Sequence, residues 1–433
     1  MNLHNQYNQG DSTVRHHLLT IGLVSAVTFL GLNSAVFAGA VTSKEEIAIS
    51  TTGGGIKVKS NNGNYFAFHG RFQYDYDYFD GAYNSDFTDD RLGNGGSESE
   101  FRRTRYEAEG GVGNNWEYNL TIDVDEGDAE IQTGFITYKG FSFADVLLGR
   151  FKVPFGLEEL ISSKWTTSIE RSPITDFGFL TRQPSFQLAL YGHTENLFWG
   201  ASISDEDNED DDGQDTYSLA GRVGSHISVG INSFIHLAAS YALRDFGDSG
   251  ALDFSSNLAV HTAEEITVAG GTEFGVDDAD QFGLEAVGVF GPLILQGEYR
   301  GVEFDENDGL ANASDVDVDG YYVQASYFLT GDSRVYKSDI GAFDKVNPKK
   351  ATGAWEIFAK YEDSEVDVDI AGDEAEYSIF TLGVNWYANS NVKLSLNYLD
   401  TDTDNFTSAA GESLDATGED DGDAVSFRAQ YAF

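Results

Sequence analysis

Cysteine is absent from this chain, and its 433 residues include only five prolines and one methionine. The lack of cysteine excludes disulfide bonds, thiolate metal sites and cysteine nucleophiles. No Pro-rich or Ser-rich linker divides the chain, so we expect one main domain where length alone would suggest two or more. Basic residues are also scarce, since 26 Lys and Arg face 72 Asp and Glu, and the formal net charge is -46. We expect no nucleic-acid partner for so acidic a chain.

Long apolar runs are missing beyond the amino-terminal region. The run Leu18–Leu32 follows a polar stretch and is too short for a membrane-spanning helix. Small residues around Ala38 fit a signal peptidase site, so we predict a signal peptide over residues 1–38. Cleavage after Ala40 and an uncleaved anchor helix are the alternatives. Any membrane insertion must then use strands, because a helical span needs about 20 apolar residues.

Apolar and polar residues alternate along much of the remaining chain. In Trp116–Val124 the apolar side chains share one face of a strand, and the polar side chains share the other. Ala424–Phe433 alternates in the same way, with one face suited to lipid and one to water. Similar segments recur at 217–223, 235–241, 293–299, 321–327, 355–361, 380–386 and 392–398, with weaker ones near Phe66, Arg103, Ile131, Val146, Phe186, Leu197 and Phe282. We predict an all-β fold, a transmembrane antiparallel β-barrel of about 16 strands. Its last strand should close the barrel against residues 66–78.

The connections between these segments form two classes. Short turns at 111–115, 192–195, 291–292 and 388–391 would face the periplasm, and long acidic loops at 204–215, 245–280, 305–319, 362–376 and 400–423 would face outward. Residues 330–352 break the rule, because this connection is long but lies on the periplasmic side. Either a strand pair is miscounted there or the turn is specialised.

Several motifs are specific when their order and spacing along the chain are considered together. They are Gly53–Lys59, Phe66–Asp75, Phe101–Arg105, Gly149–Glu159, Glu170–Ser172, Tyr327–Tyr336, Gly353–Glu356 and Gly383–Tyr387. Together they resemble the phosphate-selective porins of the O and P type over nearly the whole mature chain. This resemblance implies a sixteen-stranded barrel assembled as a homotrimer. It also implies passive diffusion of small anions, phosphate or polyphosphate, through a narrow pore lined by arginine and lysine.

Candidate pore residues follow from strand alternation and from the long segment after Pro154. Alternation directs Arg103, Arg105 and Arg222 to the lumen, together with Lys360, Lys393 and Arg428. The segment 154–184 matches the position where such barrels fold a constriction loop inward. The predicted pore-lining and constriction residues are Arg103, Arg105, Arg150, Lys152, Lys164, Arg171, Arg182 and Arg222. The alternative for Arg103 and Arg105 is a structural ion pair, and for Arg171 a tether of the loop.

The acidity of the chain departs from what an anion pore suggests. Residues 204–215 carry eight Asp and Glu, and lumen faces also contain Glu117, Asp123, Glu298 and Glu356. A hydrated acidic coat is one interpretation of the loops, and divalent cations that bridge them to lipopolysaccharide are another. A general or cation-preferring porin, a closed structural or adhesive barrel, and a soluble acidic β protein remain alternatives. No EF-hand spacing, phosphate loop, zinc motif or nucleophile elbow is present, so we expect neither an enzyme nor a cofactor or metal site.

The domain and partner expectations complete this picture. We predict a periplasmic segment over residues 39–63 and a single barrel domain over 64–433, located in the outer membrane. Expected partners are small anionic solutes, outer-membrane lipid with lipopolysaccharide, and the barrel assembly machinery, which would recognise the terminal Phe433.

Overall fold

The computed structural model describes residues 46–51, 53–83, 96–125, 128–179, 186–205, 216–247, 250–370, 372, 374–408, 411, 413–417 and 420–433. Within these ranges, sixteen antiparallel strands form a barrel. They are β1 (Tyr65–Phe79), β2 (Gly96–Val112), β3 (Trp116–Asp125), β4 (Asp128–Tyr138), β5 (Asp145–Arg150), β6 (Gln187–His193), β7 (Leu197–Ser204), β8 (Tyr217–Gly230), β9 (Ser233–Asp245), β10 (Phe274–Phe290), β11 (Leu293–Glu306), β12 (Val316–Phe328), β13 (Ala354–Val368), β14 (Ala375–Tyr387), β15 (Val392–Asp404) and β16 (Asp421–Ala432). The predicted strand number is confirmed.

Each strand pairs with the next one along the chain, and β16 pairs with β1. In that closing pair, Ala424 lies opposite Phe79 and Tyr431 lies opposite Phe72. Closure satisfies the backbone hydrogen bonds of both edge strands, which an open sheet in lipid could not do. The predicted pairing of the last strand with residues 66–78 is therefore confirmed.

Alternation places polar side chains inside the barrel and apolar ones outside. In β16, Val425 and Phe427 are exposed on the outer surface, whereas Ser426, Arg428 and Gln430 are buried on the inner one. This outward apolar face suits the hydrocarbon of a membrane. Separately, no helix among the described residues is long and apolar enough to cross a membrane.

The carboxyl terminus completes the closing pair. The Phe433 amide donates to the Gly70 carbonyl at 3.0 Å, and the Gly70 amide donates back to the Phe433 carbonyl at 2.9 Å. The Phe433 ring centre lies 5.7 Å from that of Phe72. A Cβ atom at Gly70 would overlap the Arg105 carbonyl oxygen and crowd the Phe433 ring. Glycine at this position lets the terminal ring pack flat against β1.

We expect Gly70→Ala to destabilise the barrel by about 1–3 kcal/mol, because the added methyl must displace backbone. Denaturant unfolding of the refolded protein in detergent measures the change. Gly221→Ala is the matched control, since a Cβ there meets only the Gly200 carbonyl at 3.8 Å. Equal stability of the two variants would contradict the packing role of Gly70.

Short elements accompany the barrel strands. They are the strands Ile47–Ser50, Ile56–Ser60, Ala251–Leu252, Ser255–Ser256, Ile266–Val268, Arg334–Lys337, Ala342–Val346 and Phe406–Ser408, the helices α1 (Leu157–Leu160) and α2 (Leu414–Thr417), and the 3-10 turns Gly81–Tyr83 and Pro173–Asp176. The described residues 49–59 and 63–433 belong to one compact unit, and 46–48 with 60–62 belong to another. The predicted signal peptide lies outside the described residues, and the boundaries predicted at 38 and 63 stay predictions.

Two apolar clusters fill part of the barrel interior. The cluster nearer the long loops includes Tyr83, Phe177, Phe254, Phe304 and Phe406, contributed by strands and by inward-folded loop segments. The cluster nearer the short turns includes side chains from α1, β12, β14 and residues 342–346. Burial of these side chains holds the loop segments inside the barrel, because their apolar surface leaves water.

The irregular connection between β12 and β13 is a specialised turn, and the strands were not miscounted. Arg334–Lys337 and Ala342–Val346 pair as a short antiparallel hairpin, with Tyr336 opposite Phe343. Ala342, Phe343 and Val346 are buried in the cluster nearer the short turns. We call residues 330–352 the periplasmic hairpin, after the side of the membrane that this connection is predicted to face. It folds into the barrel because its apolar side chains find a dry surface there.

Candidate functional site

The long segment after β5 folds into the lumen. We call its described residues, 151–179, the constriction loop. Its apolar side chains Phe155, Leu157, Ile161 and Phe177 are at most 1% exposed. A loop with this composition would expose a large apolar surface in water, so it packs against the barrel interior instead. The inward loop predicted from the sequence is therefore present.

Hydrogen bonds from the barrel wall hold this loop at several points. The Glu298 carboxylate of β11 accepts the backbone N–H groups of Leu157 and Glu158 at 2.6 and 2.8 Å. Farther along, wall side chains donate to loop oxygens: Gln73 to Ser163, Gln430 to Lys164, Lys393 to Thr166, Asn385 to Thr167 and Arg428 to Ile169. These bonds satisfy loop backbone that is buried from water. They fix the path of the loop along β11 and along the four consecutive wall strands β14, β15, β16 and β1.

Glu170 is the charged anchor of the loop. Its carboxylate lies 3.0 Å from Arg102, 3.2 Å from Arg103 and 2.5 Å from Arg428. Burial alone would raise the pKa of Glu170, but the three guanidinium groups lower this pKa well below its usual range. Arg428 also pairs with Asp75 of β1, at 2.7 Å. Arg102 and Arg103 therefore bind the loop to β2 through one carboxylate.

Five basic side chains gather at another part of the constriction loop, near Ile161 and Ser162. We call Arg71, Arg105, Lys152, Lys164 and Arg171 the basic cluster. Arg71 and Arg105 lie opposite each other on β1 and β2. Arg71 donates to the Ser162 hydroxyl at 3.1 Å, and Lys152 and Arg171 both donate to the neighbouring Ile161 carbonyl. Two strands and the loop thus bring together bases that are far apart in sequence.

Three carboxylates face this cluster. Arg105 pairs with Asp123 at 2.6 Å, and Lys164 pairs with Glu107 at 3.1 Å. Glu159 is shared, because it lies 3.2 Å from Lys152 and 3.3 Å from Arg171. Among the described residues, the five bases therefore outnumber the three acids that pair with them directly.

The electrostatic balance is visible at Lys152 and Glu159. Burial and the charge of Arg171 lower the pKa of the Lys152 amine to about 7, against the opposing effect of Glu159. Burial raises the pKa of the Glu159 carboxyl, but Arg171 and Lys152 outweigh it and lower that pKa. The Glu159 carboxylate lies between two cations and stays ionised, whereas the Lys152 amine must share this carboxylate with Arg171.

Arg71 differs from the other four bases. Its side chain is 4% exposed. It forms no ion pair with a carboxylate in the part of the chain that the structure describes, and its Nε–H has no hydrogen-bond partner there. A buried guanidinium donor without a partner is costly and needs an acceptor from outside the protein. Arg71 therefore has an Nε donor that no described residue accepts, and the nearby carboxylates Glu107 and Asp123 pair directly with Lys164 and Arg105 instead.

A family model described as phosphate-selective porin O and P matches residues 66–433. The chain belongs to this family. Porin O of Pseudomonas aeruginosa is 30% identical to it over 459 residues, which cover 97% of this chain and 100% of the relative. The protein is therefore an outer-membrane porin, and the family predicted from the motifs is confirmed.

Solved structures agree on the fold of this porin. OmpT, an outer membrane protein of Vibrio cholerae, has a TM-score of 0.55 at 13% identity and covers 86% of this chain and 98% of its own. An anion-selective porin from Comamonas acidovorans has a TM-score of 0.52 at 14% identity and covers 86% of this chain and 100% of its own. Both likenesses concern the barrel architecture.

The residues predicted to line the pore have different surroundings in this porin. Arg105, Lys152, Lys164 and Arg171 belong to the basic cluster, whereas Arg103 is bound by Glu170. Arg150 lies at the end of β5, where it pairs with Glu130 at 3.4 Å. Arg182 lies outside the described residues.

Arg222 lies on the inner face of the barrel wall, but its donors are already bound. Its guanidinium pairs with Glu285 and donates to the carbonyls of Ile340 and Gly341 in the periplasmic hairpin. The hairpin covers it, so we remove Arg222 from the residues assigned to solute contact. Lys360, Lys393 and Arg428 are also buried on the inner surface.

Sequence reasoning missed Arg71, although a signal was present. In Phe66–Asp75 alternation places the aromatic residues outside and Ala67, His69, Arg71 and Gln73 inside. The same test would have placed Arg300 on the inner face of β11, where it is 2% exposed beside Glu298. Both residues lie at inward positions of alternating segments, and that position was the available signal.

A cavity of about 150 Å³ lies beside the constriction loop, and Arg102, Arg103, Glu170, Arg171, Asn257 and His261 contribute to its lining. His261 comes from the connection between β9 and β10 and lies 2.8 Å from Glu100. Bases and acids thus alternate around this space. The surplus of positive charge lies in the basic cluster.

Proposed function

We propose that the porin selects small anions at the basic cluster, with phosphate and polyphosphate as the preferred solute class. The observation that carries this proposal is Arg71, a buried guanidinium whose Nε donor and charge have no directly paired acceptor or carboxylate among the described residues. Arg105, Lys152, Lys164 and Arg171 would supply the remaining donors. Arg103 and Arg150 would act at the edges of this region, and a role for Arg182 stays a prediction from the sequence.

The physical demand on such a channel supports the assignment. An anion loses part of its hydration shell at a constriction, and charge-assisted donors must replace that shell. Guanidinium groups suit phosphate oxygens because they are permanently charged and present planar, paired donors. The matching family is described as phosphate-selective, and the Pseudomonas relative is named Porin O.

The acidic exterior does not remove this preference. Two unit charges about 10 Å apart in water interact by only about 0.4 kcal/mol. Salt at about 0.15 M screens charges with a Debye length of about 8 Å. Distant loop acids therefore act weakly on an anion beside Arg71. If acids near the mouth dominated instead, the protein would be a general or cation-preferring porin.

Single-channel recording in a planar bilayer under a KCl gradient tests the proposal. We expect a reversal potential close to that of chloride, and block of the chloride current by added phosphate, because phosphate engages several donors at once. A reversal potential near that of potassium would contradict anion selection. A protein that inserts but never conducts would instead favour a closed barrel.

The remaining partners are proposals of the same kind. A trimer form is known for the structurally similar OmpT of Vibrio cholerae, and we propose a homotrimer here. We propose that the exposed apolar surface contacts outer-membrane lipid and lipopolysaccharide. We also propose that the assembly machinery recognises the terminal strand through Phe433.

A further inference from the structure

The periplasmic hairpin is anchored to three adjacent barrel strands by one buried polar network. Arg222 of β8 binds the Glu285 carboxylate of β10 through two bonds, at 2.7 and 2.6 Å. The same guanidinium donates to the carbonyls of Ile340 and Gly341 at the hairpin tip, at 2.7 and 2.9 Å. The Arg222 guanidinium therefore bonds to the hairpin tip and to the Glu285 carboxylate at the same time.

A histidine of β9 completes this network. His236 is fully buried, its Nδ1 lies 2.6 Å from the Tyr336 hydroxyl of the hairpin, and its Nε2 lies 3.2 Å from Glu285. The Phe198 ring stacks on His236 with ring centres 5.3 Å apart, and the Arg222 guanidinium lies 4.7 Å from the centre of the same ring. We call Arg222, His236 and Glu285 the hairpin clamp.

The tip of the hairpin fits the clamp closely. Gly341 has a backbone φ of 60°, which favours glycine, and a Cβ there would overlap the Phe198 ring. The tip carbonyls can therefore approach Arg222 directly. This close approach makes the docked position of the hairpin specific rather than a loose filling of space.

The other side of the hairpin supports the constriction loop. Ala342, Phe343 and Val346 pack in one buried cluster with Leu157 and Ile161 of the loop. Arg334 of the hairpin donates to the Thr167 hydroxyl of the loop at 2.8 Å. The wall bonds attach the loop to β11, β14, β15, β16 and β1. The hairpin supports the same loop from the side predicted to face the periplasm.

We propose that the periplasmic hairpin positions the constriction loop and so sets the width of the channel, with Arg222, His236 and Glu285 as positioning residues. Arg222 and His236 touch the hairpin, and Glu285 holds both of them in place. None of the three is assigned a contact with the solute. Releasing the hairpin removes apolar support under Leu157 and Ile161, so the loop relaxes toward the wall and the channel widens. The inference rests on the porin function but not on anion preference.

The absence of cysteine from the chain makes a thiol-labelling experiment clean. Ala342 is fully buried in the docked hairpin, whereas Lys337 on the same hairpin is half exposed. We expect Ala342→Cys to react slowly with a membrane-impermeant maleimide. Adding Glu285→Gln should speed this reaction about tenfold, because local opening exposes the thiol. Lys337→Cys is the control and should react rapidly in both backgrounds.

Single-channel conductance is the second readout, measured without the cysteine substitutions. We expect Glu285→Gln to give a larger and noisier conductance than the natural protein, and Arg222→Met to do the same. Because two clamp positions are tested, failure of one variant to fold leaves the other. Heat-modifiable migration of the folded barrel is measured for each variant.

Two outcomes would overturn the inference. Faster labelling with unchanged conductance would mean that the hairpin moves without positioning the loop. Unchanged labelling of Ala342→Cys in the folded Glu285→Gln background would mean that the clamp does not hold the hairpin. Neither result concerns the sign of the reversal potential, so a failure here is distinguishable from a failure of anion selection.

Discussion

Replacing Arg71 by methionine is expected to lower the permeability of anions relative to cations about tenfold. At an effective dielectric constant of about 20, a unit charge about 5 Å from a passing anion contributes about 3 kcal/mol. Water in the channel reduces this value, but a loss of about 1.4 kcal/mol already changes the ratio tenfold. Methionine keeps much of the length of the side chain while removing its charge. The reversal potential under a KCl gradient measures the effect.

The matched control for Arg71 is Lys345→Met, which removes one positive charge from an exposed position on the periplasmic hairpin. We expect the control to change the reversal potential little, because solvent and salt screen an exposed charge. If Arg71→Met and Lys345→Met shift the reversal potential equally, selectivity depends on the total charge of the barrel. The assignment of Arg71 as the principal selecting residue would then be wrong.

Replacing Glu170 by glutamine is expected to destabilise the barrel by about 3 kcal/mol and to raise its anion preference. Breaking a buried ion pair by removing one partner typically costs about 3–5 kcal/mol. Glu170 is slightly exposed and glutamine still accepts one hydrogen bond, so we expect the lower end of this range. The freed guanidinium groups of Arg102 and Arg103 add positive charge beside the loop. Denaturant unfolding and the reversal potential measure the two effects.

Glu130→Gln is the control for this prediction, since its partnership with Arg150 is exposed and exposed pairs contribute about 0–1 kcal/mol. The two expected effects have opposite signs, because stability falls while anion preference rises. A simple loss of folding would lower both stability and conductance. A rise in anion preference without loss of stability would contradict the role of Glu170 as an anchor of the loop.

Strand alternation predicted the barrel because each strand carries its evidence locally. Trp116–Val124 and Ala424–Phe433 each divide into an apolar and a polar face within about ten residues, and membrane and lumen require this division. The inward loop after β5 was predicted from the family resemblance, and the apolar residues Phe155, Leu157 and Ile161 show why it folds inward. The strand conclusions needed no knowledge of distant residues.

The roles of the basic residues at the site were predicted less well, because the sequence does not show which of them pair with a carboxylate. Alternation correctly placed Arg103, Arg105 and Arg222 on inner faces. It could not show that Arg103 is bound by Glu170, 67 residues away, or that Arg222 is bound by Glu285, 63 residues away. An arginine bound by a carboxylate and one free to meet a solute look alike in sequence.

The amino-acid sequence by itself determined the membrane, the barrel and the strand number, because side-chain period and turn spacing are properties of neighbouring residues. Only the tertiary structure decided which cations are compensated, since Arg71, Lys164 and Glu159 meet through loop folding and strand register. It also decided that the connection at 330–352 enters the barrel and covers Arg222. Net charge is a sum over residues, whereas selectivity depends on which charges lie beside the path of the ion.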